Sequence, residues 1–208
     1  MKYLIVGLGN IGEEYKDSRH NLGFKVLDAM ALASNISFID KRYGSVSQTK
    51  YKGRELILLK PSTFMNLSGH ALDYWMKKEK IPLENVLVIV YDIALPLGSI
   101  RMRHKGSDGG HNGLAHITRV LGTNEYSRIR FGIGGNYRKG SQVDFVLGNW
   151  SEEELKTVDK RIPIVLEMIR SFAFSGTELT MTAFNKAGKM PASEQQDDPV
   201  KISGARQV

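Results

Sequence analysis

One histidine, one aspartate and three asparagines are the side chains of this sequence best suited to acid–base and carbonyl chemistry. His20 stands in a polar, turn-rich stretch, and Asp92 directly follows an apolar run. An imidazole with an ordinary pKa of about 6.5 can take a proton from water, and a nearby carboxylate would orient the ring and stabilise its charged form. Asn10, Asn66 and Asn112 offer neutral amides that can donate to a carbonyl oxygen or an oxyanion. These residues could hydrolyse a carbonyl compound without a metal.

Each of these residues also has an ordinary structural explanation. A lone histidine more often lies on the surface or in a satisfied core position, and asparagine beside glycine often only forms a turn. Tyr15 and Met65 would suit the aromatic and apolar walls of a substrate pocket, although methionine before a helix is equally often a core residue. His111 is expected beside the substrate, in a supporting position. Residue types alone leave both explanations open.

Composition narrows the class of protein. There is no cysteine, which excludes disulfides, thiolate zinc sites and cysteine nucleophiles. Lys and Arg outnumber Asp and Glu by 29 to 22, which favours a polyanionic partner, although such a charge often serves solubility alone. The candidate contacts to a polyanion are Arg101, Arg103, Lys105, Arg130, Arg138 and Lys139. No apolar stretch approaches the roughly 20 residues of a spanning helix, and the N-terminal run lacks a signal-peptide cleavage site, so the cytoplasm is the predicted compartment.

Apolar patterns predict how these residues are positioned. The run from Lys2 to Leu8 predicts a buried central strand, and the spacing from Asn21 to Ser34 predicts a helix. Further strands are expected at residues 36–39, 46–50, 55–60, 86–91 and 128–133, and an edge strand is expected at 100–104. Further helices are expected from Ser68 to about residue 80, from the glycine-rich stretch 106–113 to 121, at 151–174 and at 177–187. The order of elements predicts one α/β domain over residues 1–187. Residues 188–208 are polar and small, which predicts a disordered tail.

A glycine pattern supports a competing hypothesis. Gly7, Gly9 and Gly12 form a literal G-x-G-x-x-G after the first strand, and Asp40 could serve as the ribose-binding acid of a dinucleotide site. In that motif the helix begins within the glycines, whereas here the polar residues 13–19 intervene. A Rossmann-type oxidoreductase is therefore the second hypothesis for an enzyme, and a plain tight turn would also explain the glycines.

Four ordered motifs resemble those of bacterial peptidyl-tRNA hydrolases. They begin with Val6-Gly-Leu-Gly-Asn-Ile-Gly12, followed by Tyr15 and Ser18-Arg-His-Asn21. The others are Lys60-Pro-Ser-Thr-Phe-Met-Asn-Leu-Ser-Gly69, Gly109-Gly-His-Asn-Gly-Leu114 with Asp92 before it, and Arg128-Ile-Arg-Phe-Gly-Ile-Gly134. Any one tetrapeptide could arise by chance, but four in this order at compatible spacing are highly specific.

The resemblance implies hydrolysis of the ester between a peptide and the 3′ end of a tRNA, without cofactor or metal. His20 and Asp92 would be catalytic, and Asn10, Asn66 and Asn112 would hold the peptide and the attacking water. The basic side chains would form a tRNA track. The implied fold is a monomer with one mixed, mostly parallel sheet flanked by helices. A third hypothesis, an RNA-binding module that has lost catalysis, is disfavoured because His20 and Asp92 are both present.

Two positions depart from the family pattern. Ile11 stands where the family usually has proline, which affects only the rigidity of the loop. Ile93 and Ala94 follow Asp92, where the family usually has further acidic residues. No neighbouring carboxylate can therefore replace Asp92.

Overall fold

Seven strands pair in one sheet in the computed structural model, which describes residues 1–190. Their order across the sheet is β2-β3-β4-β1-β5-β7-β6. The central strands β4, β1, β5 and β7 are parallel, whereas β3 and the edge strand β6 run antiparallel to their neighbours. The strands are β1 (Lys2–Gly7), β2 (Ile39–Lys41), β3 (Gly44–Tyr51), β4 (Arg54–Pro61), β5 (Val86–Asp92), β6 (Ile100–Lys105) and β7 (Glu125–Gly132). The predicted α/β fold with a mixed sheet is confirmed.

Helices cover both faces of this sheet. They are α1 (Leu22–Ala33), α2 (Ser68–Lys78), α3 (Asn112–Leu121), α4 (Gln142–Leu147), α5 (Glu152–Ser175) and α6 (Thr177–Phe184). Because strand side chains alternate between faces, one set packs with α1 and α5, and the other packs with α2 and α3. The short helix α4 lies where the sequence indicated only the end of a polar loop. No helix within residues 1–190 is long and apolar enough to cross a membrane.

Two helix ends differ from the prediction for identifiable reasons. Ser68 does not cap α2 but is its first residue, and its hydroxyl donates to the carbonyl of Met65 at 2.8 Å. Helix α6 ends at Phe184 rather than near residue 187, because the Asn185 side chain bonds both backbone groups of Met102 in the edge strand.

The glycine pattern has a packing explanation. A Cβ on Gly7 would lie 2.3 Å from the carbonyl oxygen of Gly23, so the end of β1 and the first turn of α1 approach too closely for a side chain. Gly12 adopts a φ of 120°, which disfavours other residues. Helix α1 begins only at Leu22, well after the glycines, so its N-terminus cannot meet a phosphate that they would hold.

The packed domain extends to Met190 rather than ending at residue 187. The carbonyl of Gly188 accepts from the Ile100 amide at 2.7 Å and from Arg161 at 2.8 Å. Met190 is buried and lies against the backbone of Gly98. The rest of the predicted tail, residues 191–208, lies outside the described residues.

Candidate active site

His20 lies in a short 3-10 turn directly before α1. The neighbouring residue Arg19 fixes this turn, because its side chain donates to Glu154 at 2.7 Å and to the carbonyl of Phe145 at 3.0 Å. Glu154 also completes the capping box of α5 with Ser151. The turn that carries His20 is therefore tied to α4 and to the start of α5.

The imidazole of His20 is buried and unpaired. Its residue is only 7% exposed, and neither ring nitrogen has a hydrogen-bond partner within residues 1–190. Burial lowers the pKa of His20 to about 4. The ring is consequently neutral near pH 7 and able to accept a proton, but it is a weak base as it stands.

Aromatic rings surround His20. The Tyr91 ring lies 5.6 Å from that of His20 and 4.5 Å from that of His111, measured between centroids. The Tyr15 ring lies 6.4 Å from that of His20, between centroids, and its role as a wall of the substrate pocket stays a prediction. Burial, with the charge of Asp92, raises the pKa of Tyr91 to about 12, so its hydroxyl stays protonated.

Asp92 ends β5 but does not bond His20, contrary to the geometry expected from the sequence. One carboxylate oxygen accepts from the amide of Ala94 at 2.8 Å, and the other accepts from Nε of Arg130. The expected rise in the pKa of His20 through Asp92 is likewise absent, since burial alone accounts for the shift. A catalytic role for Asp92 therefore stays a prediction.

Asn10 links two of the motifs. Its Oδ1 accepts from the backbone amide of Met65 at 2.8 Å, and Asn21 bonds both backbone groups of Asn10 at 2.8 and 2.9 Å. Because a backbone N–H can only donate, the oxygen of the Asn10 amide must face Met65. The NH₂ group of Asn10 is therefore the part that can reach a substrate, and it is a donor.

The other predicted substrate-binding residues differ in exposure. Asn66 and Asn112 are exposed, one in the turn after β4 and the other at the start of α3. Met65 is buried in the core cluster with Leu8 and Leu114, and its sulfur fills the space where Gly113 lacks a side chain. Met65 therefore packs between the turn and α3 and presents little surface to a substrate.

His111 caps helix α3. Its Nδ1 accepts from the amides of Gly113 at 3.1 Å and of Leu114 at 3.4 Å. The proton of the neutral ring therefore lies on Nε2, which is buried without a partner in the described chain. Burial, followed by the nearby His20, lowers the pKa of His111 to about 3. His111 thus sets the position of α3 and of the Tyr91 ring.

A basic cavity of about 230 Å³ adjoins these residues. Tyr91, Asp92 and His111 line one part of it, and the glycine-rich loop 106–110 lines another. The cations in its wall are Arg103, Lys105, Arg128 and Arg130. The cavity therefore offers positive charge beside the carboxylate of Asp92.

The basic residues predicted from the sequence fall into two groups. Arg101 pairs with Arg130 and Arg103 with Arg128 across the antiparallel strands β6 and β7, so their side chains lie on one face of the sheet. Lys105 is exposed at the end of β6. Arg138 and Lys139 are exposed in the loop after β7 and are not part of the cavity wall.

Arg128 has a different task from its neighbours. It is 1% exposed and donates to the carbonyls of Gly106, Ser107 and Asn124, while its guanidinium lies 4.0 Å from the centre of the Tyr126 ring. Its hydrogen bonds to Gly106 and Ser107 hold the glycine-rich loop against β7.

Four residues of the site were not identified from the sequence: Arg19, Asn21, Tyr91 and Arg128. Arg19, Asn21 and Arg128 belong to motifs already noted, and the alternation of Arg128 with Arg130 along a strand is a signal that could have indicated a shared face. Tyr91 carried no signal apart from its position before Asp92. No group of three or more His, Asp or Glu within residues 1–190 is arranged to hold a metal.

A buried neutral imidazole at one edge of a parallel sheet, packed against a Tyr91 ring that lines a basic cavity, is compatible with an α/β hydrolase that acts on an anionic substrate. The comparisons with known proteins agree with this class. A family described as "Peptidyl-tRNA hydrolase" matches residues 4–193. The chain belongs to this family.

Curated relatives and solved structures lead to the same family. The chain is 59% identical to a peptidyl-tRNA hydrolase of Phocaeicola vulgatus and 60% identical to one of Bacteroides fragilis, in both cases over 89% of this chain and all of the relative. The crystal structure of the peptidyl-tRNA hydrolase from Acinetobacter baumannii is similar, with a TM-score of 0.82 and 31% identity over 88% of this chain and 94% of that one.

Proposed function

We propose that this protein hydrolyses the ester bond between a peptide and the 3′ end of a tRNA, with His20 as the general base. The observation that carries the proposal is the buried and neutral imidazole of His20, which has no hydrogen-bond partner within residues 1–190 and packs against Tyr91 in the wall of a basic cavity. Membership of the family supports the reaction itself.

In the proposed reaction, His20 removes a proton from a water molecule as the water oxygen attacks the ester carbonyl carbon. The negative charge that develops on the carbonyl oxygen is held by amide donors. The protonated imidazole then returns the proton to the 3′ oxygen of the ribose as the carbon–oxygen bond breaks. The products are the peptide acid and a tRNA with a 3′ hydroxyl.

Asn10 is the amide whose orientation is defined by a hydrogen bond. Its oxygen is engaged by the amide of Met65, so its NH₂ group can only donate to the substrate. Asn66 and Asn112 are exposed and can turn to either a peptide carbonyl or a peptide N–H. We assign the oxyanion contact to Asn10 and peptide binding to the other two.

The tRNA would cross the face of the sheet formed by β6 and β7. Arg101, Arg103, Lys105 and Arg130 lie there together, and phosphate contacts would suit an enzyme that accepts many tRNA sequences. Arg138 and Lys139 would contact the tRNA only if the loop after β7 turns towards it. A monomer in the cytoplasm completes the proposal.

Replacement of His20 tests the proposal. His20→Ala should lower kcat for an N-acetyl-aminoacyl-tRNA by about two to four orders of magnitude while tRNA binding is retained. His104→Ala is the matched control, because His104 is exposed on β6 and has no part in the proposed catalytic centre. Near-normal turnover by His20→Ala would reject the assignment. A wild-type protein that binds tRNA without cleaving the ester would instead be the RNA-binding module considered above.

A further inference from the structure

The tRNA and the peptide of the substrate lie on opposite sides of the bond that is cut. Asn10 follows β1, which lies in the middle of the sheet between β4 and β5. The proposed tRNA face is formed by β6 and β7, at one end of the strand order. Strands β4 and β3 lie on the other side of β1, so this is the side of the molecule on which the peptide would extend.

An exposed stripe on this side begins at a proposed peptide contact and follows α2. Asn66 and Leu67 are exposed directly before the helix. His70, Tyr74 and Lys78 follow at helical spacing and line one open groove of about 680 Å³, which we call the α2 groove. From Leu67 to Lys78 the stripe is roughly 16 Å long, the length of about five residues of extended peptide.

The turn between β2 and β3 forms the other wall of the α2 groove. The indole nitrogen of Trp75 donates to the carbonyl of Arg42 at 3.0 Å, and the amide of Ser62 donates to the carbonyl of Tyr43 at 3.0 Å. The rings of Tyr43 and Tyr74 pack edge to face, with 5.2 Å between their centroids. Because the two walls are joined by these contacts, the groove is formed before a peptide binds, which reduces the entropic cost of binding.

Positive charge is in excess in the α2 groove. The guanidinium of Arg42 lies 5.3 Å from the centre of the Tyr74 ring, and the ammonium group of Lys78 lies 5.8 Å from the same centre. Neither cation has an ion-pair partner within residues 1–190. The carboxylate in the groove, that of Asp73, is paired with Lys77 at 2.8 Å. The groove therefore offers two free positive charges beside an aromatic surface.

A second groove, which Asn10 lines on the face of the sheet covered by α1 and α5, has no such excess. Each of its three lysines is paired with a carboxylate, Lys16 with Glu13, Lys25 with Asp159 and Lys60 with Asp28. Two further carboxylates, Asp17 and Asp40, line it. Acidic side chains of a peptide would be repelled there and attracted by the α2 groove, so the charge of the peptide distinguishes the two routes.

We propose that the α2 groove is a subsite for the peptide of the substrate and favours acidic side chains about three to five residues before the ester. The peptide passes Asn66, lies along Leu67 and His70, and places its carboxylates beside Arg42 and Lys78. This inference rests on the proposed function, in which a peptide is the acyl group. Because these contacts lie away from the ester, they are equally strong before and during the reaction, so they lower KM and leave kcat unchanged.

The test compares substrates that differ only in the charge of the peptide. They are N-acetyl-Glu-Glu-Glu-Ala-Ala-tRNA and its counterparts with three Gln or three Lys residues in place of the three Glu residues. For the wild type at low ionic strength, KM should be about three- to tenfold lower with the Glu peptide than with the Lys peptide, at equal kcat. Arg42→Gln combined with Lys78→Gln should bring these KM values to within about twofold of each other.

Two further variants refine the comparison. Lys78→Gln alone, at an exposed position in the last turn of α2, should produce about half of the change on a logarithmic scale. Arg42→Gln combined with Lys78→Glu should reverse the order of the Glu and Lys peptides, because the groove then carries a negative charge. A general loss of stability would not reverse the preference.

The matched control combines Lys50→Gln with Lys160→Gln. Both lysines are exposed, and neither lines the α2 groove or the second groove. This variant loses the same charge as Arg42→Gln with Lys78→Gln, but its ratio of KM values should remain that of the wild type. Both double variants should bind deacylated tRNA equally well, because the α2 groove contacts only the peptide.

Three results would overturn the inference. The first is an equal KM for the Glu, Gln and Lys peptides with the wild type, and the second is a preference that persists in Arg42→Gln with Lys78→Gln. The third is weaker binding of deacylated tRNA by that variant than by the control, which would assign the groove to the tRNA. Failure of the proposed function gives a different result, because the wild type would then release the peptide from none of the three substrates.

Discussion

At the scale of single residues, the oxygen of the Asn10 side-chain amide has a structural role, and its NH₂ group has a proposed chemical role. The oxygen orders the turn that carries Met65 and Asn66, and the NH₂ group remains available to the substrate. Asn21 in turn holds both backbone groups of Asn10. One side chain therefore couples the loop after β1 to the loop after β4 and supplies a donor at their meeting point.

Asn10→Asp separates these two tasks. The carboxylate can still accept from the Met65 amide, so the turn should keep its position and the melting temperature should change little. The donor is lost and a negative charge faces the developing oxyanion, so kcat should fall by about 10²- to 10³-fold. Steady-state kinetics and thermal unfolding of the same preparation would measure both effects. Asn124→Asp, at an exposed turn before β7, is the matched control; a drop in Tm without a drop in kcat would contradict the assignment.

Much of the site could be predicted at this scale, but its pairings could not. His20, Asn10 and Asn66 were identified from their residue types, from their place in turn-rich or glycine-rich stretches, and from the resemblance of the surrounding motifs to those of peptidyl-tRNA hydrolases. The bond between Asp92 and Arg130 depends on the register of β5 with β7, which sets Val90 opposite Arg130. Nothing local in the sequence encodes that register. The buried, capping role of His111 likewise depends on the backbone path of the loop before α3.

At the scale of elements, buried side chains outside the reacting centre hold the site together. Hydrogen bonds of Arg19 join the His20 turn to α4 and α5, and hydrogen bonds of Arg128 join the glycine-rich loop to β7. His116 accepts from the amide of Gly69 at 3.0 Å, which joins the start of α2 to the middle of α3. The strands and most helices were predictable from apolar periodicity. Helix α4 was not, because Val143 and Leu147 are exposed and give no periodic signal.

Truncation of the C-terminal segment tests whether residues 188–190 belong to the packed domain. A chain that ends at Ala187 loses the Gly188 carbonyl, which pairs with Ile100 and Arg161, and the buried side chain of Met190. It should be less stable by roughly 2–4 kcal/mol than a chain that ends at Met190. Urea unfolding of the two truncated chains would measure the difference, and their terminal carboxylates are matched. Equal stabilities would show that Gly188 to Met190 contribute nothing to the domain.

At the scale of the whole molecule, a net charge of +7 coexists with several histidines that the fold keeps neutral. Burial lowers the pKa of His20 to about 4 and that of His111 to about 3, and it also lowers the pKa of His116. The same burial that leaves His20 able to accept a proton from substrate water makes its protonation by solvent unfavourable. Burial of His20 therefore both keeps the imidazole neutral for catalysis and makes the folded protein less stable at acidic pH.

The sign of the resulting pH dependence follows from linkage. In the unfolded chain His20 and His111 titrate at about pH 6.5, whereas in the folded protein they titrate well below it. Below pH 6.5 the unfolded state therefore binds more protons, and the stability present above that pH is lost as the pH falls. Each such histidine contributes a slope of up to about 1.4 kcal/mol per pH unit until its folded pKa is reached.

Urea unfolding at half-unit steps from pH 7.5 to 5 should show a stability that is level at first and then declines below about pH 6.5. His111→Asn should reduce the decline by about one histidine's share, because asparagine can still cap α3 but does not titrate. His104→Asn, at an exposed position, is the matched control and should leave the slope unchanged. A stability that stays constant down to pH 5 would mean that the buried histidines take up protons in the folded state as readily as in the unfolded chain, which would contradict the lowered pKa values of His20 and His111.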